Sequence, residues 1–283
     1  VGGAGVLAGT WLLGWLAGRF GWRVSFQVIG VVTLVLMVLV WLIVRDRPAE
    51  RSASSDVASE TVGLLAGSRR VVSTKYFWPV AIWFFLDCGI FFAFGGLWGG
   101  PYLIHAYGMS KTQAGAVLSM IAWGMIVGSP LLGVLSERLL RSRKRVFILA
   151  TAVLSLLLLL AVALPASLPH WMLFVWFFLF SVSSSAIVIM GFTTTKELFP
   201  VEMAGTSVGM VNLFPFLGGA LFMPVLGRIL DRYPLADEQG YTVEGYRVVL
   251  LVLLVASVLA LGCTLVMKET YRRSIRFEEG TQA

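Results

Sequence analysis

A chain of 283 residues that is 58% hydrophobic and 13% charged, with a mean hydropathy of +0.87, is not an ordinary soluble domain, in which about 25% of residues are charged. Its formal net charge of +7 does not point to nucleic acid, because the basic residues lack interleaved aromatics for base stacking. The solvent to reason in is the bilayer, whose ~30 Å of hydrocarbon takes about 20 apolar residues of helix to cross.

Eight apolar runs follow in chain order, near 3–18, 24–44, 78–104, 114–135, 146–164, 170–191, 205–229 and 247–267. Taking alternate connections as one face, the segments 45–76, 136–145, 192–204 and 268–283 hold 16 of the 22 lysines and arginines. That bias is the positive-inside pattern and predicts that these segments, including the C-terminus, are cytoplasmic. The long hydrophilic stretch 45–76 reads as a linker, with Leu64, Leu65, Val71 and Val72 beside Arg69, Arg70 and Lys75 predicting a short interfacial helix. Small residues four apart, Gly5/Gly9, Gly14/Gly18, Gly124/Gly128 and Gly205/Gly209, mark faces where helices approach closely. Pro130, Pro215 and Pro224 predict kinks. Cys88 and Cys263 fall inside apolar runs and are read as small hydrophobes, with no disulfide and no metal.

The chain carries a copy of its own beginning near its end. Gly21-Trp22-Arg23-Val24, an apolar run and Arg45-Asp46 return 224 positions later as Gly245-Tyr246-Arg247-Val248, a second run and Lys268-Glu269. Matching entrances and exits predict equivalent helices closing two related halves.

Between the fourth and fifth runs stands Gly133-Val-Leu-Ser-Glu137-Arg138-Leu-Leu-Arg141-Ser-Arg143-Lys144-Arg145. This resembles the signature loop of the major facilitator superfamily: a Gly, a spacer, Leu, a small residue, an acid, a base, two further positions and then basic residues. Glu137 stands where Asp is usual, and Leu140 replaces a common Gly, which predicts a looser turn. A second resemblance lies in Glu197-Leu198-Phe199-Pro200 with Gly205-Thr206 and Gly209, where Ala204 takes the place of an arginine. An acid at a helix end and an adjacent arginine can pair across helices, so Gly133, Glu137, Arg138 and Arg141 are assigned to a gating loop.

The resemblance implies an all-α polytopic membrane protein of that fold, with eight of twelve transmembrane helices present. Residues 1–44 are then the last two helices of an N-terminal half that lacks its first four, 45–76 the interdomain linker, 77–267 the six-helix C-terminal bundle and 268–283 a cytoplasmic tail. It further implies a secondary active transporter of a small polar or anionic organic solute, working by alternating access and coupled to protons. The setting is a bacterial inner membrane, and the full-length protein is a monomer. A drug/proton antiporter and a non-transporting membrane sensor are the alternatives, the former weakened because Gly9-Thr10-Trp11-Leu12-Leu13-Gly14 lacks the proline and one glycine of the antiporter pattern. No enzymatic activity, catalytic residue or cofactor is assigned.

Asp87 is the foremost candidate residue. Ten residues past Phe77, it lies ~15 Å deep and so near the midplane. An acid there costs roughly 2.5 to 3.5 kcal/mol on insertion scales, so it should face a cavity or a partner. It is assigned to proton coupling, with Asn212, Ser181, Ser184 and Ser185 on a polar route; for the serines, hydrogen bonding between helices is the competing role. Farther along the same run, Gly95, Gly96, Trp98, Gly99, Gly100, Pro101 and Tyr102 predict a weakened helix at the outer end, serving as a hinge or as an interface anchor.

Overall fold

The computed structural model describes residues 2–44, 64–164, 166–186, 190–235 and 240–271. Residues 45–63 of the linker and the tail beyond Tyr271 lie outside the described residues. The chain divides into two compact units, Val1–Thr61 and Val62–Ala283.

The first unit is one helix, α1 (Gly2–Ile43), interrupted only at Gly21. There φ is 80° and ψ 161°, a region essentially reserved for glycine because a Cβ would clash. Gly21 is the joint between the two predicted runs, and the segment 18–43 is long and apolar enough to span a bilayer. Ser25 donates its hydroxyl to the Gly21 carbonyl at 2.9 Å, which satisfies both polar groups at the joint.

The second unit opens with α2 (Leu64–Val72) and continues as α3 (Phe77–Ile90), a π-helical segment Phe91–Trp98 and α4 (Gly99–Tyr107). Then follow α5 (Lys111–Val134), ending in a π-helical turn Leu135–Leu139, α6 (Arg143–Ala163), α7 (His170–Ser184), α8 (Phe192–Leu198), α9 (Ala204–Val211), α10 (Leu213–Leu230) and α11 (Val243–Val266). Local signals set these boundaries. Ser110 and Gln113 form a reciprocal capping box at the start of α5, Ser142 and Thr242 cap α6 and α11, and Gly108 takes the left-handed conformation that ends α4.

Among the described residues six helical segments are long and apolar enough to span a bilayer: 18–43, 77–107, 111–139, 143–163, 201–230 and 243–266. The outward face of α6 shows Leu149, Leu156 and Leu159, and that of α11 shows Val255, Val258 and Leu259. Lipid tails cover such faces; water would not. Inside, α3 packs on α10 and α11, α11 on α6, α6 on α7, and α7 on α5. A cluster of Phe94, Trp176, Phe177 and Phe180 cements the π-helical segment to α7.

Close approach explains several glycines. A Cβ on Gly124 would lie 2.6 Å from Ser181 Cβ, and one on Gly128 would lie 2.9 Å from Val182 Cα, so this pair seats α5 on α7. Nothing lies within 4 Å of a Cβ built on Gly205 or Gly209, so this pair does not seat a helix as Gly124 and Gly128 do. Of the first-run glycines only Gly5 and Gly18 have described surroundings, and both are open in the same sense.

Candidate functional site

Three helices lose regularity at neighbouring places in the second unit. In the first, the Gly99 N–H reaches back five residues to the Phe94 carbonyl, the π-helical wrap that accumulates at functional sites. In the second, α7 stops at Ser184, Ser185 forms a turn, and residues 190 and 191 are π-helical before α8 starts at Phe192. In the third, Asn212 separates α9 from α10, because Pro215 cannot donate to the carbonyl four residues back.

All three interruptions face a cavity of ≈190 Å³. Phe91 and Phe92 come from the π segment, Ser184, Ser185 and Phe192 from the α7–α8 break, and Asn212, Pro215 and Phe216 from the α9–α10 break, with Cys88 and Met125 completing the lining. Ser185 donates to the Val182 carbonyl at 2.7 Å. The Ser184 hydroxyl is buried without a hydrogen-bond partner among the described residues.

Asn212, Ser184 and Ser185 thus meet at one cavity. Ser181 is elsewhere: its hydroxyl donates across the helix interface to the Ile121 carbonyl at 2.6 Å. Asp87 is 1% exposed and is not part of the lining, although the adjacent Cys88 is. It follows Trp83 by four residues and Phe84 by three, and those two rings pack on Phe147 and Phe192. Neither Asp87 carboxyl oxygen has a hydrogen-bond partner among the described residues.

The glycine-rich stretch remains helical, with its weakness expressed as the wide π turn. Gly99 is sterically required, since a Cβ there would sit 2.8 Å from the Phe94 carbonyl; Gly95 and Gly100 are in ordinary or tight contact, and Gly96 is open. Trp98 donates to the Met223 carbonyl at 3.1 Å and meets Tyr241 edge-on at 5.9 Å, tying the segment to α10. Tyr102 is not at the lipid interface: it is buried between Phe94, Tyr107 and Tyr246, and Tyr246 pairs with His105 at 2.9 Å.

At the opposite end of the bundle a polar network joins four elements. Arg143, 7% exposed, reaches Glu197 at 3.4 Å and Glu137 at 3.6 Å and donates to Ser136 at 3.0 Å. Thr270 donates its hydroxyl to Glu197. The Glu269 carboxylate accepts from the Ser142 hydroxyl and from the backbone N–H of Arg143, Thr270 and Tyr271. Burial raises the pKa of Glu269, but the hydrogen bonds from Ser142 and from backbone N–H groups of Tyr271, Arg143 and Lys144 outweigh it and hold the group below the ordinary glutamate value.

Within the loop at Gly133, then, Arg143 is the hub, and the exposed Arg138 and Arg141 have no ion-pair partner among the described residues. The Glu137 side chain is 62% exposed, so its pairing is weak, while the more buried partner is Glu197 of the Glu-Leu-Phe-Pro motif. Leu140 stays right-handed, and the left-handed position falls one residue later, on Arg141 at φ 46°. Arg143 and Glu197 were legible as motif members, but only folding reveals that they meet.

Comparison with known proteins agrees with this architecture. The chain is 27% identical over 218 residues to a choline/ethanolamine transporter of Danio rerio, covering 75% of this chain and 44% of the relative. It is 24% identical over 259 residues to the glycerol-3-phosphate transporter of Bacillus subtilis, covering 82% and 55%. The chain thus spans about half the length of these curated relatives. The crystal structure of a bacterial homologue of the human lysosomal transporter Spinster, inward-facing and unoccupied, shares the fold with a TM-score of 0.55 at 18% identity, over 98% of this chain and 66% of the other. The sequence profile described as Major Facilitator Superfamily matches residues 1–100 and 88–282. With interrupted apolar helices around a central cavity and that match along nearly its whole length, this integral, multi-pass membrane chain belongs to the Major Facilitator Superfamily.

Proposed function

We propose that the chain supplies the C-terminal half, and the last part of the N-terminal half, of a secondary active transporter that moves a small polar organic solute by alternating access. One observation carries this reading: the three helix interruptions meet at one cavity, where Ser184, Ser185 and Asn212 stand in an otherwise apolar lining. Broken helices at a shared site free backbone and side-chain polar groups for a solute. The Arg143–Glu197 network is the gate on the basic face, which the charge bias assigns to the cytoplasm of a bacterial inner membrane.

Proton coupling is assigned to Asp87. A buried carboxyl can exchange a proton, and its ionised form would be an unpaired charge in protein unless solute or conformation relieved it. In proteoliposomes holding the complete polypeptide, Asp87→Asn is expected to abolish accumulation driven by a pH gradient while solute exchange at equal pH on both sides survives. Gradient-driven accumulation undiminished in Asp87→Asn overturns the coupling role.

A second reading concerns solute charge. The lining offers four phenylalanine rings, Phe91, Phe92, Phe192 and Phe216, and no basic side chain. Ring faces attract organic cations, so a choline-like solute fits this half better than an organic anion, whose counter-charge would have to come from elsewhere. Parallel flux of choline and of glycerol 3-phosphate decides between them: saturable choline flux supports the cation reading, and flux of the phosphate alone rejects it.

A further inference from the structure

The sequence marked the end of the linker as interfacial, and the transport reading makes no use of it. Tyr76 immediately precedes the span 77–107, and Lys268 lies just past the span 243–266, so both stand at the same membrane boundary. Lys75 Nζ lies 5.1 Å from the centroid of the Tyr76 ring and Lys268 Nζ lies 4.8 Å from it. Two ammonium groups brought to one ring repel each other, and among the described residues neither has a carboxylate within 4 Å. Glu269, the residue after Lys268, is engaged by Ser142 and three backbone N–H groups, and Glu197 by Arg143 and Thr270.

The surroundings are those of a lipid headgroup layer. On α2, Gly67 and Val71 turn inward while Arg69 and Arg70 are exposed and Leu65 is 89% exposed. Trp78 is exposed beside them, its indole held by the Val72 carbonyl at 2.9 Å. Exposed leucine and tryptophan at a span boundary belong in the acyl–headgroup zone, and basic side chains at that depth attract anionic lipid.

We infer that Lys75 and Lys268, gathered at the Tyr76 ring, bind the phosphate headgroup of an anionic phospholipid, with Leu65 and Trp78 dipping into its acyl region. The site orders the join between linker and bundle by linking the start of α3 to the segment after α11. It is independent of what the cavity carries.

The test uses the complete polypeptide in phosphatidylcholine nanodiscs titrated with phosphatidylglycerol, reading the thermal midpoint and lipid retained in native mass spectrometry. Phosphatidylglycerol is expected to raise the midpoint and to stay bound. The double variant Lys75→Gln/Lys268→Gln should need roughly 25-fold more phosphatidylglycerol for the same effect. The charge-keeping Lys75→Arg/Lys268→Arg should stay within about 2-fold, and Arg145→Gln, another exposed basic residue on that face, should leave the response unchanged. An unchanged response in the glutamine pair overturns the site. Equal stabilisation by inorganic phosphate also overturns it, in favour of a soluble anion, and so does a wild-type protein indifferent to phosphatidylglycerol.

Discussion

Glu269 shows how one side chain can close a junction. Its carboxylate collects a hydroxyl and several backbone N–H groups from the start of α6 and the segment after α11, and its pKa is held below the ordinary glutamate value. A depressed folded-state pKa contributes stability above the unfolded pKa and loses it as pH falls through the folded one. Glu269→Gln is therefore expected to lower the thermal midpoint at pH 7, and the gap from wild type should close as pH drops below about 4, the ordinary glutamate range; a gap that persists unchanged at acid pH contradicts this. Arg143 acts at the same scale. With side-chain exposures of 8% and 12% for Arg143 and Glu197, Arg143→Gln strands a largely buried carboxylate and should destabilise on the order of 3 kcal/mol. The double variant Arg143→Gln/Glu197→Gln should recover part of that loss, a coupling that a double-mutant cycle in thermal denaturation measures directly.

The joints between elements depend on residues that do little alone. The α5–α7 seam exists because Gly124 and Gly128 let the backbones close and Ser181 then donates across the gap. Gly128→Val forces a side chain into Val182 backbone and is expected to cost about 1–3 kcal/mol by overpacking, whereas Gly205→Ala meets nothing in its unit and should leave the thermal midpoint close to wild type. Both were named for the same spacing in sequence. Spacing says that two small residues share a helix face; it does not say what lies opposite. The repeat teaches the same lesson, since Gly21 breaks a helix with a positive φ while Gly245, its counterpart, sits in the first turn of α11 with Tyr233 2.7 Å from where a Cβ would be.

At the scale of the whole molecule, the membrane class, the positions of the spans and the family motifs were legible because they depend on local quantities: run length, charge placement, cap and turn residues. The break at Asn212 was prefigured by Pro215, and the π segment by its glycines. What only the tertiary structure decided is which candidates share a place. It gathered Ser184, Ser185 and Asn212 at one cavity, diverted Ser181 to a helix seam, set Asp87 behind the lining, and made Arg143 rather than Arg138 or Arg141 the centre of the basic-face network. The physical reason is that a side chain's surroundings in a bundle depend on the rotation of each helix about its axis. That rotation is fixed by packing against several neighbours at once, so helices distant in sequence determine what each residue touches.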